Sequence, residues 1–136
     1  MKYEFLPHTA DVKFRAYGKS MEEAFSNAAL ALTEVITDYT KVEPKVKRVI
    51  EIESEDEKSL LYDFLEQFLI LLDSENFLLN SVKEIEIKDN KLKAIVLGDT
   101  DLDKYKTETH IKAVTYQEME IRKEKGRYML QVILDI

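Results

Sequence analysis

The chain has 136 residues, 45% hydrophobic and 35% charged, enough for one domain with a true core and too apolar for a disordered chain. It contains no cysteine and only two histidines, His8 and His110, which excludes a disulfide scaffold or thiolate metal site and disfavours a histidine-rich zinc site. The net charge of −7 speaks against unaided binding to a nucleic-acid backbone, which needs a basic face; an acidic protein working near RNA would dock onto a basic protein instead.

The N-terminal MKYEFLPH lacks an apolar stretch followed by a small-residue cleavage site. The longest apolar run, FLILL at 68 to 72, is far too short to span a bilayer. A cytoplasmic protein with no membrane partner is therefore expected. VKFRAY at 12 to 17 alternates, with Val12, Phe14 and Ala16 on one side and Lys13, Arg15 and Tyr17 on the other, as a half-buried strand does. Gly18 closes that strand, and Ser20 with Glu23 three residues later predicts a capping box. The helix it opens should run to about Asp38, burying Met21, Ala24, Phe25, Ala28, Leu32, Val35 and Ile36.

Pro44 precedes a second strand in KVKRVIEIES, and a second helix is predicted from about Glu57 to Ser74 on the spacing of its leucines and phenylalanines. SVKEIEIKDNKLKAIVLGD reads as a hairpin turning at Asp89-Asn90, and the last 26 residues as another turning near Lys125-Gly126. Together these predict a single α+β domain over 1–136. It has two helices packed on one face of a mostly antiparallel, possibly mixed sheet of about five to seven strands, in two layers.

Three stretches imitate known sites and fail on spacing. GKS at 18 to 20 has Lys13 where a phosphate-binding loop needs its first glycine. DTDLDKYKTETH at 99 to 110 opens like a calcium loop, but it has Lys104 at the sharp turn and His110 where the bidentate glutamate belongs; a solvated acidic loop is expected. ESEDE at 53 to 57 suits the electropositive start of a helix. The tyrosines and phenylalanines lie at core spacing and read as packing. No Ser-His-Asp order or close glutamate pair is present, and no catalytic residue is assigned; His8, three residues before Asp11, is the only base with company.

A different pair stands out. In the phase of VKFRAY, Asp11 extends the polar set; in YMLQVILDI the strongly apolar set is Tyr128, Leu130, Val132, Leu134 and Ile136, which leaves Asp135 on the other face. If the first and last of these strands are neighbours, the two carboxylates can approach each other, joined by the main-chain carboxylate of Ile136. Such a group would need a hard divalent cation: calcium, magnesium or manganese. Spacing alone speaks for the plainer arrangement of two unrelated surface aspartates beside a frayed end. Against that, the last strand keeps its pattern to the final residue.

PHTADVKFRAYGKSMEEAFSNAALALTEVITD, IKAVTYQEMEI and the final VILDI resemble the archease family along essentially the whole chain. The resemblance implies a non-enzymatic activator of the GTP-dependent, RtcB-type RNA ligase of tRNA splicing, promoting ligase guanylylation and multiple turnover and meeting tRNA only indirectly. It also implies an alternative role as a chaperone-like specificity modulator of a tRNA cytosine-5 methyltransferase. A metal-dependent phosphohydrolase using Asp11, Asp135 and His8 is a third reading. By the same resemblance Asp11, Asp135 and Ile136 would bind the divalent cation, calcium first. Asp38 and Lys112 match recurrent family positions and would join the site or the activation surface, while Gln117 stands where the family often has histidine.

Overall fold

The computed structural model describes residues 1–136. In chain order the elements are β1 (Tyr3–Leu6), β2 (Val12–Gly18), α1 (Met21–Ile36), β3 (Val46–Glu53), α2 (Glu57–Glu75), β4 (Leu78–Lys88), β5 (Lys91–Asp99), β6 (Ala113–Glu124) and β7 (Arg127–Asp135), with short 3-10 turns at Tyr39–Lys41 and Leu102–Lys104.

Local chemistry sets most of these boundaries. Ser20 Oγ accepts from Glu23 N at 3.1 Å and starts α1, while the Glu23 carboxylate reaches back to Lys19 N rather than to the cap residue itself. Gly18 ends β2 because the helix begins hard against it: a Cβ there would lie 2.3 Å from Ala24 N. That close approach accounts for the glycine of the GKS stretch. Helix α1 stops at Ile36, short of Asp38, because Thr37 turns extended and donates its hydroxyl to Lys106 O at 2.7 Å. Asp56 and Ser59 form the reciprocal capping box of α2, and Asn76 closes that helix in the left-handed region at φ 59°. Both predicted hairpin turns are present, with positive φ at Asp89, Asn90, Lys125 and Gly126.

The fold is α+β, and every strand pairing is antiparallel. The single, possibly mixed sheet expected from the sequence is corrected to two sheets, ordered β1-β2-β7-β6 and β3-β5-β4. Helix α1 lies against β2 and β7 of the first and β4 of the second; α2 lies against β6 of the first and β3 and β4 of the second. Both sheets and both helices feed one core cluster of 29 residues, in which each buried large aliphatic or aromatic side chain contributes roughly 1.5–3 kcal/mol. Phe14, Phe25, Phe64, Leu130 and Val132 have no exposed surface.

The expected solvated acidic loop is also corrected at its first residue. Asp99 is 3% exposed. It accepts from Tyr105 Oη at 2.6 Å and from Asp101 N at 3.1 Å, and these bonds, the tyrosine's above all, hold its carboxyl below the usual range. It pins the loop to the end of β5 rather than presenting a ligand.

Candidate functional site

Strands β2 and β7 are neighbours, with Val12 opposite Leu134 and Arg15 opposite Gln131. That pairing ends at Val12–Leu134, so Asp11 directly precedes and Asp135 directly follows the last pair. The condition set by the sequence, that these two strands be neighbours, is met. Asp135 is held on its other side as well: it pairs with Ala113 of β6, and Lys112 N donates to its carbonyl at 2.7 Å. Asp11, Asp135 and Ile136 are all half-buried, and the Ile136 side chain packs against the core.

Asp135 continues the phase of Gln131 and Ile133, the face turned away from the core. That face is not bare. Tyr17, Met129 and Ile133 are buried on it yet lie outside the core cluster. The Arg127 guanidinium lies 3.9 Å from the Tyr17 ring centroid, and Arg15 Nε donates to Gln131 Oε1 at 2.9 Å. Immediately before Asp11, Ala10 occupies the left-handed region at φ 69°, where its Cβ crowds the backbone. The turn that aims Asp11 is therefore a strained one.

The other residues singled out by sequence fall elsewhere. His8 belongs to a cluster around Glu118: its Nε2 is 3.4 Å from Glu118 Oε2, and Lys13 Nζ is 3.1 Å from Oε1. Lys13 first, and His8 with it, hold the Glu118 carboxyl below its usual range. His8 Nδ1 is buried without a partner. Asp38 caps the Tyr39–Lys41 turn, accepting from Thr40 N at 3.0 Å and Thr40 Oγ1 at 2.6 Å, which lowers its pKa. Lys112 is exposed, and it meets Asp135 through its backbone N–H.

No three His, Asp or Glu side chains are grouped to hold a metal ion, so neither Asp38 nor His8 supplies a third side-chain ligand beside Asp11 and Asp135. The donors this sheet end carries are the carboxylates of Asp11 and Asp135 and the main-chain oxygens of Ile136. All are hard oxygens, a set that fits calcium, magnesium or manganese and not a soft metal.

Two residues escaped the sequence reading, and one irregularity explains both. Thr115 pairs with Ile133, but the next paired residue is Glu120 with Gln131. Tyr116, Gln117, Glu118 and Met119 thus stand against Val132 alone. Glu118 takes φ 52° to make this bulge, and Gln131 Nε2 donates to its carbonyl at 2.8 Å. The bulge turns Glu118 toward His8 and Lys13. Tyr116 is 53% exposed, which corrects the reading of every aromatic as packing. A signal was present: Val114 and Met119 are both buried, and an odd separation cannot put two residues on one face of a regular strand.

Residues 3–136 match the model of the archease protein family. Relatives named Protein archease are 42% identical in Sulfurisphaera tokodaii and 44% identical in Pyrococcus furiosus, with 99% of this chain and 99% of each relative covered. The solution structure of Methanobacterium thermoautotrophicum protein 1598 is similar at 41% identity and a TM-score of 0.83, covering 99% of both chains. An archease from Thermotoga maritima, described as a possible chaperone, shares the fold at 21% identity and a TM-score of 0.66, over 96% of this chain and 94% of that one. With the family model matched from the third residue to the last and close relatives aligned over nearly their full length, this chain belongs to the archease family.

Proposed function

We propose that the protein is a non-catalytic accessory factor that activates the GTP-dependent, RtcB-type RNA ligase of tRNA splicing, promoting its guanylylation and repeated turnover. Family membership supports the reading, and the observation that carries it is the β2–β7 pairing, whose last pair, Val12–Leu134, is continued by Asp11 on one side and by Asp135 and Ile136 on the other. The acidic chain suits docking on a basic RNA enzyme, where complementary charge mainly speeds encounter.

Asp11, Asp135 and a main-chain oxygen of Ile136 would hold a divalent cation, with calcium favoured and magnesium or manganese as alternatives. When bound, such a cation supplies a concentrated positive charge for a phosphate or carboxylate of the partner. The chain's own part is positional. The Lys112 N–H fixes the Asp135 carbonyl, the strained Ala10 turn aims Asp11, and Ile136 anchors its strand in the core.

The test mixes the protein with ligase, GTP and manganese and follows the ligase–GMP adduct by mass. Asp135→Ala should abolish activation while circular dichroism shows an unchanged fold. Full activation by that variant would remove the metal-centred reading. A chaperone-like modulator of a tRNA cytosine-5 methyltransferase is the second reading, favoured by the description of the Thermotoga maritima relative as a possible chaperone. It predicts stoichiometric suppression of methyltransferase aggregation, or a change in the base modified, with no effect on guanylylation.

A further inference from the structure

The β6 bulge carries Tyr116 outward to lie flat on Tyr62 of α2, with ring centroids 4.4 Å apart and planes within 9°. This is the tightest aromatic pair in the molecule, and one of its members is more than half exposed. Tyr62 and Glu66 are four apart on α2 and share a face, with Asp63 next to them. Partial burial first, then nearby Asp63, Tyr62, Asp56 and Glu66, raise the pKa of the Tyr116 hydroxyl. None of Asp56, Asp63 or Glu66 takes part in an ion pair. Asp63 accepts a hydrogen bond from Ser54 Oγ at 2.6 Å through one oxygen only. Elsewhere Tyr17, Phe77, Tyr105 and Tyr128 each carry one of the chain's own cations over the ring. The Tyr62–Tyr116 stack carries none.

We propose that the Tyr62–Tyr116 stack, with the carboxylates of Asp63 and Glu66, is a docking point for an arginine side chain presented by a basic protein partner. A guanidinium is planar and weakly hydrated, so it stacks on an exposed ring while forking to a carboxylate, which a lysine ammonium cannot do. A bare aromatic stack also suits a nucleic-acid base, but carboxylates around it repel the phosphate that comes with the base. Charge complementarity decides for the arginine. The proposal deepens the accessory-factor reading and rests on it for the identity of the partner.

Two measurements test it. In the first, isotope-labelled protein is titrated with an arginine–glycine repeat peptide, its lysine counterpart and oligouridylate, and amide shifts are followed by NMR. Shifts at Tyr62 and Tyr116 with the arginine peptide, weaker with lysine, lost in Tyr116→Ser and kept in Tyr116→Phe, are expected. Shifts there only with oligouridylate, or with none of the three, overturn the proposal.

In the second, ligase binding should weaken about tenfold or more in Tyr116→Ser and recover in Tyr116→Phe, with circular dichroism unchanged. Ligase binding by Tyr116→Ser equal to that of the unaltered chain overturns the docking point while leaving the activator reading intact. If the unaltered chain binds no ligase, the activator reading fails, and the peptide titration alone decides the docking point.

Discussion

In the β3-β5-β4 sheet the left-handed residues are Asp89 and Asn90, both at a tight hairpin turn that calls for them. In the β1-β2-β7-β6 sheet the same backbone region is forced on Ala10, between strands, and on Glu118, within one. The β3-β5-β4 sheet has bulges too, but small ones: Asn80 and Lys83 are each a single extra residue, and Asn80 uses its position to donate to Val42 O at 2.7 Å. The β6 bulge is larger, and around it lie the Glu118 cluster and the Tyr62–Tyr116 stack; the Asp11–Asp135 end lies on the same sheet. Strain persists where the surroundings over-determine it and is common at functional sites. One sheet is the more regular, and the other carries the strained positions and the proposed sites on the same core.

That shared core is the place to break the comparison most severely. Phe64 of α2 is fully buried between Phe25, at 5.8 Å between centroids, and Phe68, at 5.1 Å. Phe64→Ala should lower stability by about 3–5 kcal/mol. Because one cluster joins both sheets, the loss should appear as a single cooperative transition, seen alike by far-ultraviolet circular dichroism and by tyrosine fluorescence. Two separated transitions would show that the two sheets are independent units.

A smaller effect separates the two sheets by pH. Asp99 ends β5 of the more regular sheet, and its folded pKa lies below its unfolded value near about 3.9. A group of that kind binds its proton more readily when unfolded. It therefore contributes stability above about pH 4, a contribution lost as pH falls toward the depressed folded pKa. Asp38, Glu43, Asp56 and Glu118 are depressed as well, but they are exposed and screened by solvent. Asp99→Asn should thus reduce the urea midpoint at pH 7 and flatten its fall below about pH 4. An acid limb as steep as that of the unaltered chain would move the acid sensitivity off the more regular sheet.

How much of this was legible follows the range of the interactions. Both helices, the Ser20 cap and both hairpin turns are written locally and were read, whereas the Asp56–Ser59 box and the Thr37 and Asn76 ends, equally local, were not. Strand phase also placed Asp135 on the correct face. The division into two sheets was not legible, because it depends on which strands pair across long separations and both sheets bury their apolar faces in one core. Strand β1 was missed because YEFL is short and lies at the sheet edge, where Phe5 stays 44% exposed although it pairs with the buried Phe14. The bulge was missed because Glu118 enters the left-handed region without the glycine or asparagine that usually marks it. Its only trace was the odd spacing of Val114 and Met119.

The smallest predicted effect is the most direct probe of why the β1-β2-β7-β6 sheet keeps its strain. Ala10 pays the left-handed penalty immediately before Asp11. Glycine removes that crowding but gives the unfolded chain more freedom, and the two effects largely offset each other. Ala10→Gly should therefore change stability by less than about 1 kcal/mol, in the stabilising direction. If the strained turn serves only to connect β1 and β2, calcium binding measured by calorimetry will be unchanged. If it holds the Asp11 carboxylate in place at the end of the β2–β7 pairing, the glycine variant will bind calcium more weakly while melting at the same temperature or higher. A loss of affinity without a loss of stability is expected, because the residue whose backbone is strained directly precedes a carboxylate that must stay aimed.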